Sequence, residues 1–272
     1  MRARDPPLHW RVWISGASSG IGEELARQLA ARGCHLALFA RRGDRLEELR
    51  RELAKRDARS RLIVQPGDVR NRATVGEAIR AAEAEFGELD VVILNAGIGD
   101  NLFVDRFDAG LVERITAVNY LGAIYAIEAA LPGMLERRRG KIVGVSSIGA
   151  LRGMPTAAPY CASKAALSTF LESLRIDLQG RGVQVITVSP GFVKTPLTDR
   201  NRFPMPFLQP VDVAARRIIR GIERGRREIH FPRRLTLPCK LMSCLPGGLY
   251  EWLMGRVARK AYHKRPGDEA AG

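Results

Sequence analysis

Apolar runs of strand length alternate with helix-length amphipathic segments along this 272-residue chain, and that rhythm leaves few folds open. Val12 to Ser15, His35 to Ala40, Arg61 to Gln65, Val91 to Leu94, Lys141 to Ser146, Val183 to Val188 and Glu228 to Phe231 read as strands. Several are continuously apolar, which means burial on both faces, as in a sheet covered by helices on each side. Segments near 20–32, 44–57, 71–87, 108–137, 158–179 and 211–224 carry helical periodicity, as in Leu25, Leu29 and Ala30. The alternation predicts an α/β fold, a doubly wound parallel sheet of about seven strands flanked by helices, with right-handed crossovers. Ligands of such sheets bind at the carboxyl ends of the strands.

The length fits one large domain, and 46% hydrophobic with 27% charged residues is a globular composition. No run of about 18 uninterrupted apolar residues occurs, which argues against a membrane-spanning helix. Met1-Arg-Ala-Arg-Asp-Pro-Pro leads into the first strand without a leader-like apolar stretch, so a cytoplasmic location is expected. Cys34, Cys161, Cys239 and Cys244 form no CxxC pair and have no histidines at ligand spacing, which predicts reduced thiols and no metal. His9, His35, His230 and His263 are scattered and receive no role. The net charge of +15 is uneven, because residues 194–265 hold 17 Lys or Arg against 5 Asp or Glu. Such a patch attracts phosphorylated cofactors, lipid headgroups or nucleic acid. Neither zinc-finger spacing nor an aromatic RNA-binding motif accompanies it, so no nucleic-acid partner is expected.

After the first strand comes Gly16-Ala-Ser18-Ser19-Gly20-Ile21-Gly22, then a helix beginning near Gly20. Glycines permit a tight turn and close approach of backbone to phosphate, and free amides at a helix N-terminus favour the anion. Gly16, Ser18, Ser19, Gly20, Ile21 and Gly22 are therefore expected to hold a pyrophosphate. The second strand ends Ala40-Arg41-Arg42, where an NAD site usually carries a carboxylate for the ribose hydroxyls. Arg41 and Arg42 instead favour a 2'-phosphate, since a fork of donors matches phosphate geometry. The expected cofactor is NADP(H).

Tyr160 and Lys164 stand four residues apart on a predicted helix, thirteen residues after Ser147. One face of the helix then carries both, and the ammonium is expected to lower the phenol pKa from about 10 towards neutrality. Such a tyrosine can act as acid and base.

These motifs, with Asp68-Val69, Asn95-Ala96-Gly97, Asn119, Ser146-Ser147 and Pro190-Gly191-Phe192-Val193-Lys194-Thr195, resemble the short-chain dehydrogenase/reductase family over residues 10–231, the Rossmann-like portion. Two positions depart from its pattern: Ser15 where threonine is common, and Leu94 where another asparagine is common. The resemblance implies that Asp68 and Val69 contact adenine and that Asn95, Ala96 and Gly97 run beside a ribose. Pro190, Gly191, Val193 and Thr195 would border nicotinamide. Ser147 rather than Ser146 would hydrogen-bond the substrate oxygen, Tyr160 would exchange the proton, and Lys164 would hold ribose hydroxyls. Asn119 would support a water-mediated proton path to Lys164, its alternative being a polar bond internal to its helix. A homodimer or homotetramer is the assembly implied. The expected reaction is NADP(H)-dependent interconversion of a carbonyl and a secondary alcohol; the alternative is a catalytically silent NADP-binding regulatory or scaffold protein.

Residues 1–231 are expected to form the catalytic domain, with a lid over the substrate at the proline-punctuated stretch 195–210. Residues 232–272 form a basic amphipathic extension. Leu249, Trp252, Leu253 and Val257 can share a helical face beside Arg256, Arg259 and Lys260, with Tyr250 and Trp252 suited to an interface. The extension either lies on a membrane, near an apolar, lipid-like substrate, or docks on protein.

Overall fold

The computed structural model describes residues 8–56, 60–201 and 203–262. Among them seven strands form one sheet: β1 (Arg11–Ser15), β2 (His35–Ala40), β3 (Leu62–Pro66), β4 (Val91–Leu94), β5 (Gly140–Val145), β6 (Val183–Pro190) and β7 (Glu228–Phe231). The spatial order is β3-β2-β1-β4-β5-β6-β7, and every neighbouring pair is parallel. Strand order reverses between β1 and β4, which opens a crevice at their carboxyl ends. This is the doubly wound, Rossmann-like sheet expected, with strand ends shifted by a residue or two.

Helices α1 (Gly20–Ala30), α2 (Gly43–Arg56) and α7 (Val211–Glu223) cover one face. Helices α3 (Arg72–Phe86), α5 (Gly122–Glu136) and α6 (Ala158–Asp177) cover the other. The continuous apolar strands make this two-sided burial necessary: Val12 and Ile14 enter one core while Trp13 between them enters the opposite one. On α1, Leu25 and Leu29 sit one turn apart and are fully enclosed, each burial stabilising by about 1.5–3 kcal/mol. Trp13 keeps its ring nitrogen satisfied by donating to Gln65 Oε1 at 3.0 Å.

The helix expected over 108–137 is two, α4 (Ala109–Thr116) and α5, joined by a π-helical turn at Ala117–Leu121 that carries Asn119. Ala109–Glu136 is long and apolar enough to cross a membrane, with a hydropathy of 1.2. In the fold, Ala126, Ile127, Ala130 and Met134 of this stretch pack against the sheet and α3.

At the amino ends of the strands, Arg11 pairs with Asp90 at 2.8 Å and Glu88 at 2.5 Å, and Arg139 also reaches Glu88. Part of the positive charge is thus matched far from the crevice. Beyond β7 the chain forms α8 (Arg233–Ser243) and α9 (Gly247–Tyr262). Thr236 of α8 is buried and Leu235 packs on Gly191. On α9, Trp252 and Val257 are exposed, whereas Tyr250 is buried and donates to Gly153 O at 2.7 Å. The interfacial placement expected for Tyr250 is therefore corrected: its hydroxyl needs a partner once the ring is enclosed, and Gly153 supplies it. Met1–Pro7, residues 263–272 and the Lys260 side chain lie outside the described residues.

Candidate active site

The chain leaves β1 through Gly16 (φ +69°) and Gly20 (φ +60°), a backbone region that glycine adopts without strain. A Cβ on Gly22 would overlap Asn95 Nδ2 and Gly16 O, so α1 seats against this loop only with glycine there. Asn95 Nδ2 donates to Ser15 O at 3.1 Å and Gly16 O at 3.3 Å. Ser15 Oγ in turn accepts from the amides of Asn95 at 3.0 Å and Ala96 at 3.1 Å. Serine in place of threonine keeps the hydroxyl that locks β1 to β4. Ser19 stands at the N-cap of α1 but makes no capping side-chain bond, which leaves the first-turn amides suited to an anion. The cradle fits a dinucleotide pyrophosphate.

Arg42 lies across the loop, donating to Ser18 Oγ at 3.0 Å and Ser19 Oγ at 2.8 Å. Arg41 is exposed at the end of β2, near Asp68. Asp68 is held below the usual carboxylate range chiefly by its hydrogen bonds from Arg70, at 2.7 and 2.9 Å. Val69 is buried against Gly122.

Tyr160 and Lys164 fall on successive turns of α6, as expected, with the ammonium 6.0 Å from the ring centre. Lys164 Nζ donates to Val145 O at 2.8 Å, and burial lowers its pKa to about 8. Burial pushes the Tyr160 phenol up, against the smaller opposite pull of Ser147. The expected lowering towards neutrality is thus reversed. Removing phenolate from water costs more than its surroundings return, and the Lys164 ammonium is directed to the Val145 carbonyl.

Ser147 Oγ accepts from Gly149 N at 3.0 Å, whereas Ser146 Oγ is committed to Lys164 O at 3.0 Å and Ser168 Oγ at 2.7 Å. Asn119 is 1% exposed; its Oδ1 accepts from Ile98 N at 2.8 Å, and its Nδ2 donates to Ile98 O at 2.9 Å and Ser163 Oγ at 3.0 Å. Its bonds therefore reach across to a loop and to α6 rather than along its own helix. A Cβ on Gly97 would fall 3.3 Å from Lys164 Nζ and 3.5 Å from Asn119 Oδ1, so glycine keeps the space between them open.

One cleft of about 400 Å³ joins these groups. Its wall includes Gly16, Ser18, Ser19, Gly20 and Ile21, then Arg41, Arg42, Asp68, Val69, Asn95, Ala96 and Gly97. It also includes Ser147, Tyr160, Lys164, Pro190, Gly191, Val193 and Thr195. Gly22 and Asn119 stand behind the wall, as packing and bracing residues. Sequence reading missed Ile98, Gly99 and Val118, which also line it; Leu197, Thr198 and Arg200 line it too, from the stretch 195–210 that the sequence named only as a whole. Thr198 fastens the 193–198 turn by accepting from Thr195 N at 2.9 Å and donating to Val193 O at 2.7 Å. Gly99 fits between Tyr160 and Leu197. Neither carries a recognisable local signature.

The stretch 195–210 is tied back where Gln209 O accepts from Lys194 N at 2.9 Å and Gln209 N donates to Phe192 O at 2.9 Å. Between those ties Phe203 and Phe207 are half exposed. Among the described residues no cluster of His, Cys, Asp and Glu could hold a metal.

The short chain dehydrogenase family pattern matches residues 11–204. The chain belongs to that family. An uncharacterized oxidoreductase of Myxococcus xanthus is 43% identical over 240 residues, 88% of this chain and 93% of its own length. An 11-beta-hydroxysteroid dehydrogenase-like 3 protein of Arabidopsis thaliana is 38% identical over 227 residues, 81% of this chain and 72% of its own. The crystal structure of a short-chain dehydrogenase/reductase from Burkholderia phymatum in complex with NAD superposes with a TM-score of 0.78. At 24% identity, covering 89% of this chain and 94% of that one, it shows the shared fold. Short-chain dehydrogenases are oxidoreductases that transfer hydride between NAD(P) and small molecules, and this protein is one of them.

Proposed function

We propose that this oxidoreductase reduces a carbonyl with NADPH, and oxidises the matching secondary alcohol in reverse, with Tyr160 as the acid and base. The observation that carries this reading is the shared wall: Ser147, Tyr160 and Lys164 line the same cleft as the glycine loop. Bound there, the reduced nicotinamide supplies hydride for the carbonyl carbon. Tyr160, whose phenol burial pushes up, gives its proton to the carbonyl oxygen as negative charge grows there. Ser147 donates a hydrogen bond to the same oxygen. Lys164 holds ribose hydroxyls, and Asn119 fixes the loop at Ile98 beside it. Arg41 and Arg42, with no acid at the end of β2, support NADP(H) over NAD(H). Ile98, Val118 and Leu197 in the wall support an apolar substrate.

Tyr160→Phe should bind NADPH as the parent does in a fluorescence titration, while kcat against a panel of carbonyls falls roughly a hundredfold to ten-thousandfold. Parent-like turnover would remove Tyr160 from its role.

We also assign the outer face of α8 and α9 to contact with an anionic membrane surface. Leu241 is 73% and Trp252 56% exposed, and Leu237, Leu249 and Val257 are exposed beside them. Arg233, Arg234, Arg256 and Arg259 are exposed on the same two helices, and Arg256 lies 4.2 Å over the Trp252 ring. Residues 232–265 hold eight Lys or Arg against one acid, Glu251. Anionic headgroups complement that charge, whereas a second copy would oppose arginine with arginine. The full chain should float with phosphatidylglycerol vesicles, and Leu241→Glu with Trp252→Glu should abolish it. A chain that stays soluble, or a dimer in light scattering that those substitutions dissolve, would count against the assignment.

A further inference from the structure

We infer that Arg152 and Tyr250 latch the C-terminal helix pair onto the segment joining Ser147 to Tyr160, so that α8 and α9 position the substrate side of the site. This rests on the catalytic reading above and adds two positioning residues to it.

Residues 148–157 connect the two catalytic hydroxyls and, beyond a 3-10 turn at Ile148–Ala150, form no regular element before α6. Their place must therefore be set by tertiary contacts. On the inner side Gly149 N donates to Ser147 Oγ at 3.0 Å, and a Cβ on Gly149 would lie 3.5 Å from Tyr160 Cε1. The segment thus rests on both catalytic residues. One flank is held where Leu102 N donates to Thr156 O at 2.7 Å.

The other flank is held by the extension. Arg152 Nη1 donates to Ser243 O at 3.0 Å and Leu245 O at 3.2 Å. These carbonyls lie at the C-terminal end of α8, where unpaired acceptors and the negative end of the helix dipole favour a guanidinium. The same group sits 4.3 Å over the Tyr250 ring, and the Tyr250 hydroxyl donates to Gly153 O at 2.7 Å. Among the described residues Tyr250 is the only buried one of α9. Ion pairs of Arg152 with a carboxylate are absent among the described residues, so its charge is addressed to the helix end and the ring. The contacts that seat α9 are therefore the same contacts that restrain the catalytic segment. Whatever occupies the outer face of α8 and α9 acts on the substrate side, while the glycine loop is braced separately by Ser15 and Asn95.

Full-length Arg152→Ala, Arg152→Lys and Tyr250→Phe, assayed with NADPH and decanal, test the latch. In Arg152→Ala, kcat/KM should fall roughly tenfold through both kcat and KM, because small misplacement of catalytic groups is costly. NADPH affinity should stay at the parent value. Arg152→Lys should recover part of the loss, since an ammonium reaches one carbonyl but cannot bridge two and stack. Tyr250→Phe, which keeps the ring, should lose less and remain folded. Amide hydrogen exchange should quicken at 148–157 in Arg152→Ala and stay unchanged at 16–22. That exchange reads the latch even if decanal is not turned over, which separates failure of the latch from failure of the substrate reading. Parent-like exchange at 148–157 in both Arg152→Ala and Tyr250→Phe would overturn the inference. So would losses of NADPH affinity and thermal stability that match the loss of catalysis, since they mark a general structural defect.

Discussion

Around the glycine loop, positions are fixed by backbone: Gly16, Gly22, Ser15 and Asn95 interlock through contacts that leave no room for a Cβ or a lost hydroxyl. Around the stretch 195–210 and the α8–α9 pair, surfaces are built from exposed apolar side chains, with Phe203, Phe207, Leu241 and Trp252 all facing outward. The nucleotide wall of the cleft and these outer surfaces thus obey different rules. A pyrophosphate is the same in every dinucleotide, so backbone can be shaped to it. A substrate varies, and its side is made of side chains that can be exchanged without disturbing the sheet.

The largest effect that separates the two is expected at Gly22. Gly22→Ala forces a methyl group into Asn95 and the Gly16 carbonyl, and overpacking of this kind costs about 1–3 kcal/mol. NADPH affinity should fall at least about tenfold with a lowered Tm, because the displaced loop carries the anion-binding amides. Leu241→Ser, at a side chain 73% exposed, should change stability by less than about 0.5 kcal/mol. Calorimetric titration and thermal melts read both, and equal effects would erase the distinction.

A smaller effect is expected at the rim. Arg41→Ala should weaken NADPH by no more than about tenfold, the low end for a hydrogen bond to a charged group at an exposed position, and leave NADH and Tm unchanged. Arg42 also holds Ser18 and Ser19, so Arg42→Ala should weaken both coenzymes. If NADPH and NADH respond alike to Arg41→Ala, the coenzyme preference lies elsewhere.

The same contrast explains what the sequence made legible. Seven apolar runs disclosed the sheet because two-sided burial needs continuous apolar strands, and Gly16, Gly20 and Gly22 disclosed the loop because its geometry admits little else. Tyr160 and Lys164 were visible because helical spacing is local. Their proton affinities were not, since burial is a property of the assembled fold and overrode the neighbour effect read from four-residue spacing. Asn119 was found without its π turn or its partners Ile98 and Ser163, which are 21 and 44 residues away. The latch of Arg152 and Tyr250 escaped for the same reason, since Tyr250 meets Gly153 across 97 residues of chain. Trp252 was legible as exposed, but its neighbour Tyr250 looked alike in the sequence and is buried.

The smallest expected effect concerns pH, and it acts on the catalytic core alone. Burial brings Lys164 to about 8 from an ordinary value of 10.5, whereas Tyr160 is pushed up and keeps its proton. Since kcat/KM follows the free enzyme, it should be level near neutrality and decline through about pH 8 as the ammonium is lost. Stability should move the other way. Between about 8 and 10.5 the unfolded chain holds the Lys164 proton and the folded chain does not, so the unfolded state binds more protons and this residue's contribution to stability rises with pH. Below that window the cost of burying the charge is present in full. Vesicle binding through the outer face of α8 and α9 should hold steady from about pH 7 to 9 while catalysis falls. A flat kcat/KM across that range would remove Lys164 as its controlling group, and a parallel fall in vesicle binding would show that the membrane face answers to the same titration.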